Sequence, residues 1–311
     1  MIDLMSRRKL FFAISIFLIL VGILAAVFFE GVRLDIQFQG GTQIIIQMND
    51  SDYEMADASA IAEEISGKIV TAKKLRTHGA ETGEMIDLLM LQIGAKENLS
   101  NTTIMAIIDS IRADFAVNES NTFESQSIDP LIGQELLRNG IIAALIASVL
   151  IVLYVWVRFS VMNGLPAAIF ALIALIHDAL IMFSVYTVFR IPLNESFIAA
   201  LLTILGYSLN DTIIVYDRIR ENTKLVRRSN VQELVNRSVV QTLSRSINTS
   251  VTTVLAILCV YVLASINGID SLRNFSFPLI IGMISGTYSS IFIASPLWMM
   301  YKMATKRKVR A

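Results

Sequence analysis

Residues 196–216 read SFIAALLTILGYSLNDTIIVY, and both the fold and the function turn on how that run is read. It has about the length of helix needed to cross a bilayer core, yet it carries Asn210 and Asp211 inside it. A carboxylate at bilayer centre costs roughly 2.5–3.5 kcal/mol on insertion scales, so such residues face a cavity or a partner and mark ion or proton paths. Steps of three and four residues stay on one side of a helix, which groups Thr203, Tyr207, Asn210, Asp211 and Ile214 into one mostly polar stripe. The structural alternative is that Asp211 only hydrogen-bonds neighbouring helices.

Working outward, the whole composition fits a membrane protein. Of 311 residues, 54% are hydrophobic and 17% charged, against about 25% charged in soluble domains. The formal charge of +0 hides a segregation. Most acids fall within residues 31–138, while Lys and Arg crowd the segments between and after the apolar runs. That pattern reports topology rather than a nucleic-acid surface, which needs a concentrated basic face. The single cysteine, Cys259, rules out an intrachain disulfide. Neither metal-ligand spacings nor a phosphate-binding glycine loop is present, so the expectation is no cofactor, no metal and no enzyme chemistry.

Six apolar segments are expected, near residues 10–29, 141–157, 165–189, 196–216, 246–266 and 275–300. The first follows Arg7, Arg8 and Lys9 and is too long for a signal h-region, so it reads as an uncleaved anchor with its start in the cytoplasm. Six crossings return both ends to that side. Residues 217–244 read as a basic cytoplasmic loop whose part 231–244 is an amphipathic surface helix. Residues 302–311 form a basic tail.

Between the first and second segments, residues 31–137 turn polar and change period. Residues 34–48 (LDIQFQGGTQIIIQM) read as a strand with Gly40 and Gly41 at a bulge. Residues 52–65 read as a helix, 70–76 and 86–93 as strands around a glycine-containing turn, and 122–127 as a weak last strand. Ile104, Ile107, Ile108, Ile111 and Phe115 keep helical spacing. The order strand, helix, strand, strand, helix, strand is that of a ferredoxin-like α+β unit. His78 stands alone and reads as a solvated loop residue.

The candidate chemistry lies in the membrane segments. With a rise of about 1.5 Å per residue, Asp211 sits roughly 9 Å in from the end of its helix near Asp217. Arg245 starts the next crossing at that same end, within an arginine's reach if the two helices pack side by side; snorkelling to the interface is its bland alternative. His177 and Asp178, near mid-depth of the third crossing, form a second candidate, as a proton relay or as a packing device. Gly282 and Gly286 form a Gly-x-x-x-Gly pair suited to close helix packing.

The runs LGYSLNDTIIVYDRIREN (205–222) and QTLSRSINTS (241–250) resemble the SecF family of protein-export membrane proteins. So do FQGGT (38–42), ELLRNG (135–140), ALIHD (174–178) and IGMISGTYSSIFIASP (281–296). The resemblance spans nearly the whole chain. It implies a six-helix half-transporter of the RND superfamily with an extracytoplasmic domain at 31–137, in the inner membrane. Its implied partners are SecD and the SecYEG translocon with SecA, YajC and YidC as neighbours. The proton motive force would promote preprotein translocation. In that family the aspartate of the Asn-Asp motif and the arginine of the Gln-Thr-Leu-x-Arg motif are implicated in proton flow, here Asp211 and Arg245. One departure is that the family's Asp-Phe-x-Gly-Gly stands as DIQFQGG (35–41), which leaves Asp35 without an inherited role. The rival readings are a proton-coupled exporter of small molecules or lipids, and a structural subunit whose acids are polar glue.

Overall fold

A computed structural model describes residues 3–29, 31–49, 53–78, 85–94, 99–117, 123–225 and 230–310. Helix α1 (Arg8–Phe28) is the first of six helices long and apolar enough to cross a membrane. Helical spans satisfy every backbone N–H and C=O internally, which hydrocarbon demands.

After α1 the chain makes one helical turn, α2 (Ile36–Gln39), before strand β1 (Gly41–Met48). The continuous strand expected over 34–48 is therefore shortened. Asp35 caps α2 by accepting from the Gln37 N–H, and Gly40 and Gly41 take φ of +80° and +146°, conformations that suit glycine and end the turn. Helix α3 (Met55–Ser66), strands β2 (Val70–His78) and β3 (Met85–Gly94), helix α4 (Asn101–Asp114) and strand β4 (Glu124–Ile128) complete the small domain. The turn expected between β2 and β3, residues 50–52 and Thr122 lie outside the described residues.

The sheet is antiparallel throughout, in the order β2-β3-β1-β4, so β3 lies between β1 and β2. This is the expected ferredoxin-like arrangement. Alternation puts Ile44, Ile46 and Met48 of β1 beside Leu89, Leu91 and Ile93 of β3 on one face. Ala58 and Ala62 of α3 and Ile104, Ile107, Ile108 and Ile111 of α4 cover that face. His78 closes β2 opposite Met85.

The second span, α5 (Pro130–Arg158), starts earlier than expected because Asp129 caps it and Pro130 occupies a position where no N–H is needed. Then follow α6 (Gly164–Val188), α7 (Glu195–Leu225) and α8 (Val231–Ile266). The stretch 217–244 is thus mostly helix: α7 runs on to Leu225, and the amphipathic segment and fifth crossing are one unbroken α8. Arg227 and Arg228 lie outside the described residues. The last span comprises α9 (Asp270–Ser289), a π turn (Ser290–Ala294) and α10 (Ser295–Arg310).

In the bundle, α6, α7 and α9 form the centre, while α1, α5 and α8 show most of their apolar surface. Small residues make the centre tight: Ala167, Ala168, Ala171 and Ala174 of α6 are all buried. The start of α1 and the stretch after the π turn lie at the bundle end away from the small domain, where Met5 packs among Phe159, Val235 and Trp298 and Leu4 N–H bonds Asn236.

The small domain is fastened by more than its chain connections. Phe38 of α2, only 2% exposed, packs with Tyr186, Leu193, Phe197 and Leu279 of the bundle. Gly133 of α5 lies against the Gln37 and Phe38 carbonyls, where a Cβ would stand 2.7 Å from oxygen. Asp35 N–H donates to the Leu193 carbonyl and Leu193 N–H to that of Arg33. On the far side of the domain, Gly268, between α8 and α9, meets the backbone of Arg76 in β2.

Candidate proton site in the bundle core

Gly282 and Gly286 set the spacing on which this site depends. A Cβ on Gly282 would lie 2.5 Å from Ile204 Cγ1, and one on Gly286 would lie 2.8 Å from Ser208 Cβ. Contacts that short are not tolerated, so glycine is what allows α7 to lie directly on α9. That approach carries the hydroxyls of α9 to two buried carboxylates, one on α6 and one on α7.

Asp178 of α6 is 1% exposed and is gripped on both oxygens. Ser208 of α7 donates to Oδ2 at 2.6 Å, Ser289 of α9 to the same oxygen at 2.8 Å, and Ser285 of α9 to Oδ1 at 2.7 Å. Three helices are therefore pinned at one point. His177 Nδ1 lies 3.2 Å from Asp178 Oδ1, and its ring stacks against Tyr288, 6.0 Å between centroids. His177 Nε2 is buried and makes no hydrogen bond among the described residues.

Asp211 of α7, equally buried, is held far more loosely. Its hydrogen bond comes from Thr287 of α9, at 3.2 Å. The same Thr287 hydroxyl also lies 3.1 Å from the Met283 carbonyl and in contact with the Ser250 hydroxyl of α8, to which Tyr207 donates. One proton cannot serve all of these at once. Two acids of equal charge therefore sit in unlike donor sets, the usual way in which one fold assigns them different tasks.

No ion pair within 4.0 Å joins Arg245 of α8 to Asp211 among the described residues. The Arg245 side chain is exposed. Asn210 is exposed, as are Thr203 and Gly206; the stripe read from the sequence therefore splits, with Asp211 buried, Tyr207 and Ile214 half-buried, and Thr203 and Asn210 out. On α8 the exposed row continues through Ser244, Asn248 and Thr252. At the domain-distal end, Asp217 pairs with Arg158 at 3.0 Å and Arg220 at 2.9 Å. Reading the sequence did not single out the hydroxyls around Asp178 and Asp211 as donors to a carboxylate. The available signal was Ser285 and Ser289 four residues apart, on one face of a helix facing an acid that needs donors.

The family model described as "Protein export membrane protein SecD/SecF, C-terminal" matches residues 103–304, which include Asp178, Asp211 and Arg245. The chain belongs to the SecD/SecF family. Relatives named protein translocase subunit SecF include that of Alicyclobacillus acidocaldarius, 33% identical over 98% of this chain and 94% of its own. The subunit of Petrotoga mobilis is also 33% identical, over 95% of this chain and 94% of its own. Among solved structures, SecDF of Thermus thermophilus, described as a translocon-associated membrane protein, superposes with a TM-score of 0.77 at 31% identity. It covers 97% of this chain, which spans 38% of that longer one. SecDF in a super-membrane-facing form gives a TM-score of 0.69 at 32% identity, covering 99% of this chain and 40% of that one. The relatives are transport components, and six membrane-capable helices make this chain an integral membrane protein.

Proposed function

We propose that this chain is the SecF half of a proton-driven protein-export unit in the cytoplasmic membrane, completed by a SecD half beside the SecYEG channel. One observation carries the reading: Asp211 is a buried carboxylate whose hydrogen bond among the described residues comes from a shared donor, Thr287, and the helices around it, α7 and α8, carry an exposed polar row at membrane depth that includes Arg245. Arg245, Asn248, Thr252, Thr203 and Asn210 cannot rest against hydrocarbon without penalty. A second set of helices covering that row would dry the site and complete it. The chain spans about two-fifths of the SecDF chains it superposes on, which leaves room for such a half. Basic residues at the end where the chain starts and finishes support a cytoplasmic position for that end and an outer one for the small domain.

In this mechanism Asp211 exchanges the proton. When it is protonated, its charge toward Arg245 is lost and Thr287 is released to Met283 or Ser250. The centre of α6, α7 and α9 stays locked through Asp178, so α8 is the element free to respond. Its far end turns at Gly268 against Arg76 of β2, so a shift of α8 reaches the small domain directly. The test is gradient-dependent export of a preprotein into inverted vesicles by the Asp211→Asn variant with its SecD partner. Loss of the gradient-dependent component, with the variant present at normal levels, is expected. Wild-type export would discard the reading.

A further inference from the structure

Beneath the small domain, where it meets the bundle, lies a cavity of about 590 Å³. Three cations line it from segments far apart in sequence: Arg33 between α1 and α2, Lys68 between α3 and β2, and Arg190 between α6 and α7. None of them forms an ion pair among the described residues. The acid among the described lining residues is Asp35, already held by Lys73 at 3.7 Å and by its cap on α2. Among the described lining residues the cavity therefore carries three cations, each partly exposed to solvent, against one acid that already has a partner.

Its depth selects the ligand. Helices α1 and α6 end beside it at Phe28 and Val188, which marks the bilayer boundary on the domain side. The surrounding surface is apolar and open: Phe28 is 82% exposed, Phe189 69% and Ile69 75%. Arg190 takes a φ of +54°, a conformation few side chains adopt, and its guanidinium lies 4.7 Å over the Phe29 ring. That φ closes α6 in a Schellman turn, with Arg190 N–H bonding the Thr187 carbonyl and Ile191 N–H that of Tyr186, and it leaves the Arg190 side chain exposed where it lines the cavity.

We propose that this cavity binds the phosphate headgroup of an anionic phospholipid from the leaflet on the domain side, with the acyl chains lying along α1 and α6. Its volume falls in the range of about 300–1,000 Å³ usual for small-molecule sites. Basic pockets at a membrane surface recognise phosphate headgroups by charge-assisted hydrogen bonds. An acidic polypeptide segment would match the charge but not the exposed apolar rim at this depth. Because Lys68 belongs to the domain, Arg190 to the bundle and Arg33 to their link, one phosphate bridges all three and ties the posture of the domain to lipid occupancy.

The full chain, delipidated in detergent, is titrated with phosphatidylglycerol and with phosphatidylcholine, and bound lipid is counted by native mass spectrometry. Phosphatidylglycerol is expected to bind at least tenfold more tightly than phosphatidylcholine. The variant R33Q/K68Q/R190Q should lose that preference by tenfold or more, while R33K/R190K keeps it and R112Q, on α4, behaves as wild type. Should the triple variant misfold, K68Q alone, at an exposed turn, is expected to weaken binding about threefold. Phosphatidylglycerol binding unchanged in the triple variant, or in K68Q where that stands in for it, overturns the proposal. So does retention of inorganic phosphate without lipid, or displacement of the lipid by an equimolar polyglutamate peptide.

Discussion

Ser208 donates a 2.6 Å hydrogen bond to Asp178 across α6 and α7, and Asp211 lies three residues further along the same α7 face. One turn of α7 thus separates a donor that locks one acid from a second acid with little to hold it.

That difference makes opposite expectations for stability and transport. Asp178→Ala strands the buried hydroxyls of Ser208 and Ser285 and leaves Ser289 only the Gly286 carbonyl; each bond is worth about 1 kcal/mol, so the detergent-solubilised chain should lose several degrees of thermal unfolding midpoint. Asp178→Asn should fall between, because its amide keeps one acceptor. Asp211→Asn should unfold within a degree or two of wild type and yet lose gradient-dependent export. If Asp178→Ala left the midpoint unmoved, the lock would be wrong.

Gly286→Ala is expected to act on the same lock from the opposite side. The new methyl meets Ser208 Cβ at 2.8 Å, and overpacking of that kind costs about 1–3 kcal/mol. Its signature should be loss of the Ser208 to Asp178 bond without any change of charge. Pairing it with Ser208→Ala in a double-mutant cycle should therefore give a strongly non-additive result. Additive losses would show that the two sites do not share one contact.

The acids and the hydroxyls differed in how far they could be read from the chain. Asp211 was legible because a carboxylate inside an apolar run contradicts its surroundings. Ser285 was not, because serine and threonine in apolar helices also bond back to their own carbonyls, as Ser184 does to Leu180, Thr187 to Phe183 and Thr203 to Ala199. Only the packing of α9 on α6 and α7 separates the two uses. The sheet order followed from period and spacing, whereas the turn at α2 did not. Apolar Leu34, Ile36 and Phe38 alternate as in a strand, but Phe38 belongs to the bundle, and long-range burial overrode the local pattern.

The small domain carries its own titration. Burial, with Asp87 adding and Arg76 opposing, pushes the Tyr53 phenol from 10.0 up to about 12. Its hydroxyl donates to the Leu88 carbonyl, and Lys74 lies over the ring. Folding therefore favours the neutral phenol. The stabilisation it brings is complete below about pH 10 and is lost as pH rises from there through about 12. Chemical denaturation followed by tyrosine fluorescence should show the domain weakening across that window. Tyr53→Phe should be less stable at neutral pH and show a shallower alkaline decline. An equally steep decline in the variant would assign it to another group.

Phe38 decides whether the domain and the bundle move as one. Its ring is 2% exposed among Tyr186, Phe197 and Leu279, and α2 has only one turn of helix with which to hold it there. Truncating a buried phenylalanine costs about 3–5 kcal/mol. Neither core depends on this ring alone, because the domain core between sheet and helices and the alanine-rich centre of the bundle do not include it. Phe38→Ala should therefore leave both parts folded but unclamp them, and the links at 31–35 and 128–130 should become sensitive to limited proteolysis. Export is expected to fall even though Asp211 and Arg245 are untouched, since a shift of α8 would then move a domain no longer seated on the bundle. Full protease resistance combined with normal export would mean that the chain connections and the Leu193 backbone bonds suffice to hold the domain, and Phe38 would then be packing alone.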